Sequence, residues 1–248
     1  MKQLLFATLL LISIQGRATE IEVIGDIQRQ LPAEEISMLK TAEQEFLTLE
    51  LKTMTPFTKG TVILIPDWSQ HAASPRAINY LRTTLIDYGW NTIAMMVPDA
   101  LASVDTETLL AYQTEFQGRL AEVLKRAASK HGNLIIIAQG SSGALINTMI
   151  QREQISAPQG LILLSAYLAD AKLNQAVSLA ISQHKIPTLD IMHNQDNSVV
   201  AASSKIRLQL TRKSMKELYR QRILSGTVDD EPEWLFKEVY GWLTYIGY

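Results

Sequence analysis

Residues 134–144 read Leu-Ile-Ile-Ile-Ala-Gln-Gly-Ser-Ser-Gly-Ala, and their reading decides the fold. Leu134 to Ala138 is a short apolar run of the kind that forms a strand buried on both faces. Gln139 to Ala144 is small or polar, and Leu145 to Gln151 continues as a helix. A strand that enters a helix through small residues is the setting of the G-x-S-x-G turn. There a sharp, strained bend holds a nucleophilic serine at its tip. Two registers fit. If Ala138 takes the first small position, the nucleophile position falls on Gly140, which has no side chain. If Gly140 takes it, Ser142 becomes the nucleophile and Ala144 the last small residue. The first register describes the turn without its chemistry, the second a reactive serine.

The flanking sequence alternates between strand and helix. Glu45–Lys52 reads as an outer strand. Thr61–Pro66, Asn91–Val97, Gly160–Ser165 and Pro187–Met192 read as buried strands, and Arg222–Leu224 as a short last one. Helical spacing marks Pro75–Tyr88, Thr106–Lys130, Ser203–Tyr219 and Glu233–Tyr248. Residues up to about 31 read as an extended lead-in. Pro32-Ala33-Glu34-Glu35 reads as a helix start that fades near Leu39–Ala42. Strands separated by helices imply an α/β fold: a doubly wound, mostly parallel sheet with helices on both faces. The chain of 248 residues suits one such domain over residues 19–248. Sites in these sheets lie at the carboxyl ends of the strands. The segments of interest are therefore Asp67 to His71, Pro98-Asp99, Gln139 to Ser142, Ser165 to Tyr167 and His193 to Asp196. Pro98 to Tyr112 is short for a covering cap, so an open cleft is expected.

The first 18 residues read as a signal peptide. Lys2 precedes the apolar run Leu4 to Ile14, and Gly16-Arg17-Ala18 supplies small residues for cleavage after Ala18. The run is too short for a comfortable membrane span, so no stable span is expected after cleavage. With no cysteine there is no disulfide, no lipid-attachment cysteine and no thiolate metal site. An exported, cysteine-free chain with a short Lys-led signal points to a bacterial periplasm, with soluble secretion as the alternative. Cleavage removes Lys2 and Arg17, leaving 21 basic and 25 acidic residues and a net charge of −4. No global basic bias points to nucleic acid. Lys205, Arg207, Arg212, Lys213, Lys216, Arg220 and Arg222 crowd one segment, which reads as the solvated face of a helix and its exit. A site for an anionic partner is the other reading.

The order of the parts resembles the α/β-hydrolase superfamily across residues 45–248. Lys59 to Asp67 resembles the strand leading into the oxyanion loop, Leu134 to Leu145 the elbow strand and its helix, and Ile186 to Asp196 the late strand that ends in the triad acid. That resemblance implies Asp196 as the acid. More narrowly, the chain resembles an exported bacterial family of unknown function. The likeness is carried by Leu64 to His71, Tyr88-Gly89-Trp90-Asn91-Thr92, Ala138-Gln139-Gly140 and Tyr219-Arg220-Gln221. The resemblance implies glycine at the elbow where a serine is expected.

A serine hydrolase needs a nucleophile, a base and a group that orients the base. In this superfamily they follow in the order serine, acid, histidine. The four histidines, His71, His131, His184 and His193, all precede Asp196, and none follows it. The loop after the first buried strand, Asp67-Trp68-Ser69-Gln70-His71, has no glycine to bring backbone N–H groups onto an oxyanion. A replacement set would be Ser142 or Ser141 with His71 as base and Asp67 or Asp196 as orienter. Against it, serine at a helix start commonly caps free N–H groups. His193 and Asp196 are too few to specify a metal site, and no cofactor is implied. Gly140-Ser141-Ser142-Gly143 offers donors to an anion, but no Walker lysine follows. The expected cleft is bounded by Asp67, Trp68, His71, Gln139, Gly140 and His193. It would serve an unidentified small ligand or an envelope protein on a scaffold that has lost its chemistry. A periplasmic serine esterase or amidase is the alternative.

Overall fold

The computed structural model describes residues 20–101, 106–228 and 230–248. The expected signal segment, residues 1–18, lies outside them. Eight strands form one sheet: β1 (Ile36–Lys40), β2 (Glu45–Leu51), β3 (Gly60–Ile65), β4 (Trp90–Met95), β5 (Asn133–Gln139), β6 (Gly160–Leu164), β7 (Thr188–His193) and β8 (Tyr219–Leu224). Their spatial order is β1-β2-β4-β3-β5-β6-β7-β8. β2 runs antiparallel to both β1 and β4, and all pairs from β4 to β8 are parallel. This is the doubly wound, mostly parallel α/β sheet that the strand–helix alternation implies.

The central strands are apolar on both faces because helices cover both. Val62 and Leu64 of β3, with Ile135 and Ile137 of β5, point into the core under α2 (Ala77–Thr84) and α7 (Pro232–Tyr245). Ile63, Ile65, Ile136 and Ala138 point the other way, under α3 (Thr106–Ala128) and α4 (Gly140–Gln151). The two-residue period of a strand thus delivers two cores from one continuous apolar run.

Four local expectations are corrected. Residues 20–30 are not an extended lead-in but a helix, α1 (Glu20–Gln30). Val23, Ile24, Ile27 and Leu31, at helical spacing, pack its inner face on the core. Pro32 does not open a lasting helix. A single 3₁₀ turn, Ala33–Glu35, leads into β1, whose register with β2 runs from Ile36↔Leu49 to Lys40↔Glu45. Between β6 and β7 stands α5 (Ala171–Gln183), capped by the Asp170 carboxylate accepting the Leu173 N–H. Its buried face carries Asn174, Ser178 and Ser182 among the apolar residues, which hides its period. Finally, α6 spans Ser198–Lys213, started by Asn197, whose side chain accepts the Val199 and Val200 N–H groups.

The basic segment is only partly a solvated face. Arg207 is fully buried, pairs with the equally buried Asp190 at 3.1 Å and donates to the Ala166 carbonyl. The Tyr219 hydroxyl donates to the other Asp190 oxygen at 2.8 Å. Lys216 turns inward. Its Nζ donates to the Ile181 carbonyl in the last turn of α5 (2.7 Å) and stands 3.2 Å from His184 Nδ1. His184 Nε2 lies 3.0 Å from Asn147 Oδ1. With Lys216 donating to Nδ1, the ring proton belongs on Nε2, donated to Asn147. Burial, helped by Lys216, pushes His184 down to about 3 and keeps the ring neutral. Burial also lowers Lys216 to about 7 against the opposing pull of Asp190.

This lysine gives the fold a pH dependence. Between about pH 7 and its ordinary 10.5, the unfolded chain holds a proton on Lys216 that the folded chain does not. Stability therefore rises with pH through that window. Lys216→Met should remove up to about 1.4 kcal/mol per pH unit from that slope, read from urea unfolding midpoints across the range. An unchanged slope in the variant would place the ammonium in water.

Candidate functional site

The parallel pairing of β3 with β5 sets Ile65 opposite Ala138. Two residues beyond each lie Asp67 and Gly140. Pro66 has no N–H to continue the ladder, and the chain leaves β3 into the loop that holds Asp67. After β5 the chain turns sharply at Gly140, the first residue of α4, with φ +54°. This is the strained strand-to-helix position at which the elbow motif places its nucleophile. Ser142 lies two residues inside the helix. A Cβ on residue 140 would stand 2.1 Å from Asp67 Oδ1 and 2.7 Å from its carboxyl carbon, so a side chain there would have to displace the carboxylate.

Asp67 fills the space that glycine leaves. Its Oδ1 accepts the Ser141 N–H at 2.7 Å. Its Oδ2 accepts the Ser69 N–H at 3.2 Å and the Ser69 hydroxyl at 2.6 Å. In the elbow motif the N–H after the nucleophile is one of the two oxyanion donors, and the loop after this strand supplies the other. Here a carboxylate of the chain itself occupies the first donor, and it comes from that same loop.

The two serines do not meet a histidine. Ser142 is wholly buried, and its hydroxyl faces that of Tyr112 inside the α3–α4 interface without reaching hydrogen-bonding geometry. Burial, with the Asp67 charge behind it, raises the Tyr112 hydroxyl pKa. Ser141 is 2% exposed and is held through its backbone N–H. Gln139, also buried, leaves its Oε1 without a hydrogen bond. Among the described residues neither Ser141 nor Ser142 is hydrogen-bonded to a histidine.

His193 and Asp196 belong to a second constellation, one strand further along. Asp196 Oδ2 accepts the His193 N–H at 2.7 Å and the Ser165 hydroxyl at 2.6 Å. Ser165 Oγ stands 3.4 Å from His193 Nδ1. Ser165 takes φ +48° at the end of β6, a left-handed conformation that costs a non-glycine residue about 1–3 kcal/mol. The Asp196 carboxylate braces that turn to the end of β7. Tyr167 lies between the two constellations. Burial raises its hydroxyl pKa, and Asp67 and Asp196 both add to the rise. Across from His193, in the loop after β8, Asp230 is held below its usual range by hydrogen bonds from Thr227, with Arg76 and His193 contributing.

A cleft of about 610 Å³ opens beside the Asp67 loop. Trp68, His71, Met96 and Pro98 line it, with Glu20 and Asp99 at its acidic side. Trp68 also covers the core, standing edge-on to Tyr112 at 5.8 Å between ring centres. His71 is half-buried, which lowers its pKa, and its Nδ1 is enclosed without a hydrogen-bond partner. No group of three or more acidic, histidine or cysteine ligands gathers among the described residues. No helix among them is long and apolar enough to cross a membrane.

Strand order, elbow turn and site loops define a protein of α/β-hydrolase fold. Solved structures agree on that fold. Est1E from Butyrivibrio proteoclasticus superposes with a TM-score of 0.67 at 12% identity, covering 86% of this chain and 98% of that one. A dienelactone hydrolase from Anabaena variabilis gives 0.59 at 13%, covering 85% and 98%. The Francisella virulence factor BioJ gives 0.62 at 10%, covering 90% of each. The chain belongs to the family described as protein of unknown function (DUF3530), whose model matches residues 19–115 and 100–245. No curated protein matches it.

The sequence puts Asp67 and Gly140 on one cleft; the structure adds their contact and the hydrogen bond from the Ser141 N–H to Asp67. Sequence reading did not anticipate Tyr112 or Glu20. Glu20 lay in a stretch read as extended, and Tyr112 is one of several aromatics on a long helix. The contact between Asp67 and residue 140 is open to a stability test. Gly140→Ala should cost about 2–4 kcal/mol, from the left-handed φ and the 2.1 Å approach together. In an Asp67→Gly background the cost should fall to about 1 kcal/mol, the conformational part alone. Denaturant unfolding of the four proteins of this cycle checks it, and additive effects would remove the contact.

Proposed function

We propose that this is an exported, periplasmic binding or accessory protein of the cell envelope, built on a hydrolase scaffold that does not perform serine-hydrolase chemistry. The observation that carries this reading is the Asp67 carboxylate on the Ser141 N–H, in the space that a side chain at Gly140 would need. Acyl transfer needs a nucleophile at the turn and an empty donor pair for the oxyanion. Asp67 opposes both. The absence of any histidine after Asp196 removes the usual base as well. Export rests on the Lys2-led apolar run and the small residues before Thr19.

The esterase or amidase reading, with Ser142 or Ser141 as nucleophile and His71 as base, gains no geometric support. Ser142 points into the helix interface, and the imidazole of His71 is not bonded to either hydroxyl.

A fluorophosphonate probe tests the proposal. The purified protein should stay unlabelled beside a labelled control hydrolase. Gly140→Ser should not gain labelling, because Asp67 still holds the oxyanion donor and crowds the new side chain. A covalent adduct mapped to Ser141 or Ser142, and lost on substitution by alanine, would refute the proposal.

A further inference from the structure

β8 ends the sheet, and the side of it that faces away from β7 is unpaired. In the parallel ladder between them, the Thr188 N–H donates to the Leu218 carbonyl at 2.8 Å and the Asn194 N–H to the Leu224 carbonyl at 2.9 Å. That phase gives the backbone of residues 218, 220, 222 and 224 to β7. It turns the N–H and C=O groups of Tyr219, Gln221 and Ile223 outward. Among the described residues none of these outward groups meets a hydrogen-bond partner. Sheet edges are commonly shielded by a proline, a bulge or a covering segment. β8 contains no proline, and its register with β7 is unbroken from Tyr219 to Leu224. None of its residues is buried, and Ile223 is 61% exposed. Its arginines are drawn sideways off the edge: Arg222 to Glu238 of α7 at 3.0 Å, and Arg220 over the Tyr245 ring at 4.4 Å.

The flanking side chains indicate what suits this edge. Strand alternation puts Arg220 and Arg222 on the α7 side of the sheet and Gln221 and Ile223 on the α6 side, where Gln221 donates to the Ser204 carbonyl. Along α7, the exposed Trp234 and Tyr245 lie on the same stripe as Glu238, with open space over Gly241 between them. The charge here is positive. Arg212 and Lys213, at the end of α6, and Arg220 have no carboxylate partner among the described residues. From residue 212 to residue 224, Glu217 is the only acid, in a chain whose formal charge is −2 overall. A second copy fits this edge poorly. Antiparallel pairing of two β8 strands about Gln221 sets Arg220 of each opposite Arg222 of the other, and like charges directly opposite destabilise a strand pair.

We propose that the β8 edge docks an extended segment of a partner protein, one that alternates acidic and apolar side chains and adds to the sheet as a further strand. The outward groups of Tyr219, Gln221 and Ile223 supply the main-chain hydrogen bonds, which give such a contact its affinity. Side chains give it specificity. The acidic residues of the partner face Arg220 and Arg222, and the apolar ones lie beside Ile223 on the other side of the sheet. Part of the basic segment thereby acquires an anionic partner. The surface is separate from the elbow: the inference adds a protein partner to the binding role proposed above and does not depend on the loss of hydrolase chemistry.

Fluorescence anisotropy with labelled short peptides tests the assignment: one alternating glutamate with valine, one alternating lysine with valine, and the glutamate peptide with its amides N-methylated. The glutamate peptide should bind about tenfold or more tightly than the lysine peptide and weaken as salt rises. N-methylation should abolish its binding. Ile223→Pro removes one outward N–H and keeps the ladder bonds of Arg222 and Leu224 to β7, so it should weaken the peptide by about three- to tenfold. Arg220→Gln should weaken the glutamate peptide several-fold and not the lysine peptide. Circular dichroism of each variant reports its folding. Equal binding of the two charged peptides, binding unchanged by N-methylation or by Ile223→Pro, or no binding of the glutamate peptide at millimolar concentration overturns the assignment. Sedimentation that shows a dimer dissociated by Ile223→Pro overturns it in favour of a second copy. None of these outcomes bears on fluorophosphonate labelling, which alone decides the loss of hydrolase chemistry.

Discussion

One hydrogen bond organises the carboxyl end of this sheet: the Ser141 N–H donating to Asp67 Oδ1. It joins the loop after β3 to the first turn of α4 and stands at the positive end of that helix. A carboxylate at such an end is stabilised by the free N–H groups and by the aligned peptide dipoles. It also sets the sequence at two places. Glycine at residue 140 suits both the left-handed turn and the close approach of the Asp67 carboxylate, which any Cβ there would have to push aside. Residue 69 supplies a second pair of donors that hold the other oxygen and fix the orientation of the group. The aspartate and the glycine are two halves of one arrangement, and neither is understood alone.

The remainder of the domain brings these halves together. The parallel register of β3 with β5 is fixed by apolar runs buried on both faces, where a slip of one residue would exchange the two cores. At the far side of the sheet, Asp190, Arg207 and Tyr219 form a buried polar set joining β7, α6 and β8. Removing Asp190 or Arg207 would leave its partner's buried charge unmatched, at a cost of about 3–5 kcal/mol. Within it, β7 is placed so that Asp196 can brace the Ser165 turn. Both turns at the site end, at residues 140 and 165, are left-handed and both are secured by a carboxylate from a neighbouring segment.

Much of this was legible in the sequence, and the failures share a cause. The strands of the sheet centre were readable because burial on both faces leaves an unbroken apolar run, as in Thr61 to Pro66 and Leu134 to Ala138. The helix α5 was not, because Asn174, Ser178 and Ser182 occupy buried positions and satisfy their polar groups within the helix or the adjoining loop. The helix α1 carries its apolar residues at helical spacing, but only Ile27 of them is fully buried, so its apolar face is narrow among charged and polar residues. Arg207 and Lys216 read as surface charges, since nothing local announces that Asp190 or the last carbonyls of α5 will meet them. The ambiguity at 138–144 was inherent. Both registers offer small residues at the required spacing, and the choice depends on φ at Gly140 and on a side chain 73 positions earlier in the chain, Asp67.

The Asp67 arrangement bears on chemistry through charge as well as through space. A developing oxyanion at the Ser141 N–H would lie about 4 Å or less from the aspartate, and like charges at that separation repel by about 4 kcal/mol at the effective dielectric of a protein surface. The scaffold would thus have to discharge or displace Asp67 before it could stabilise the species that its fold elsewhere accommodates. Displacement would strip three donors from the carboxylate, one from Ser141 and two from Ser69.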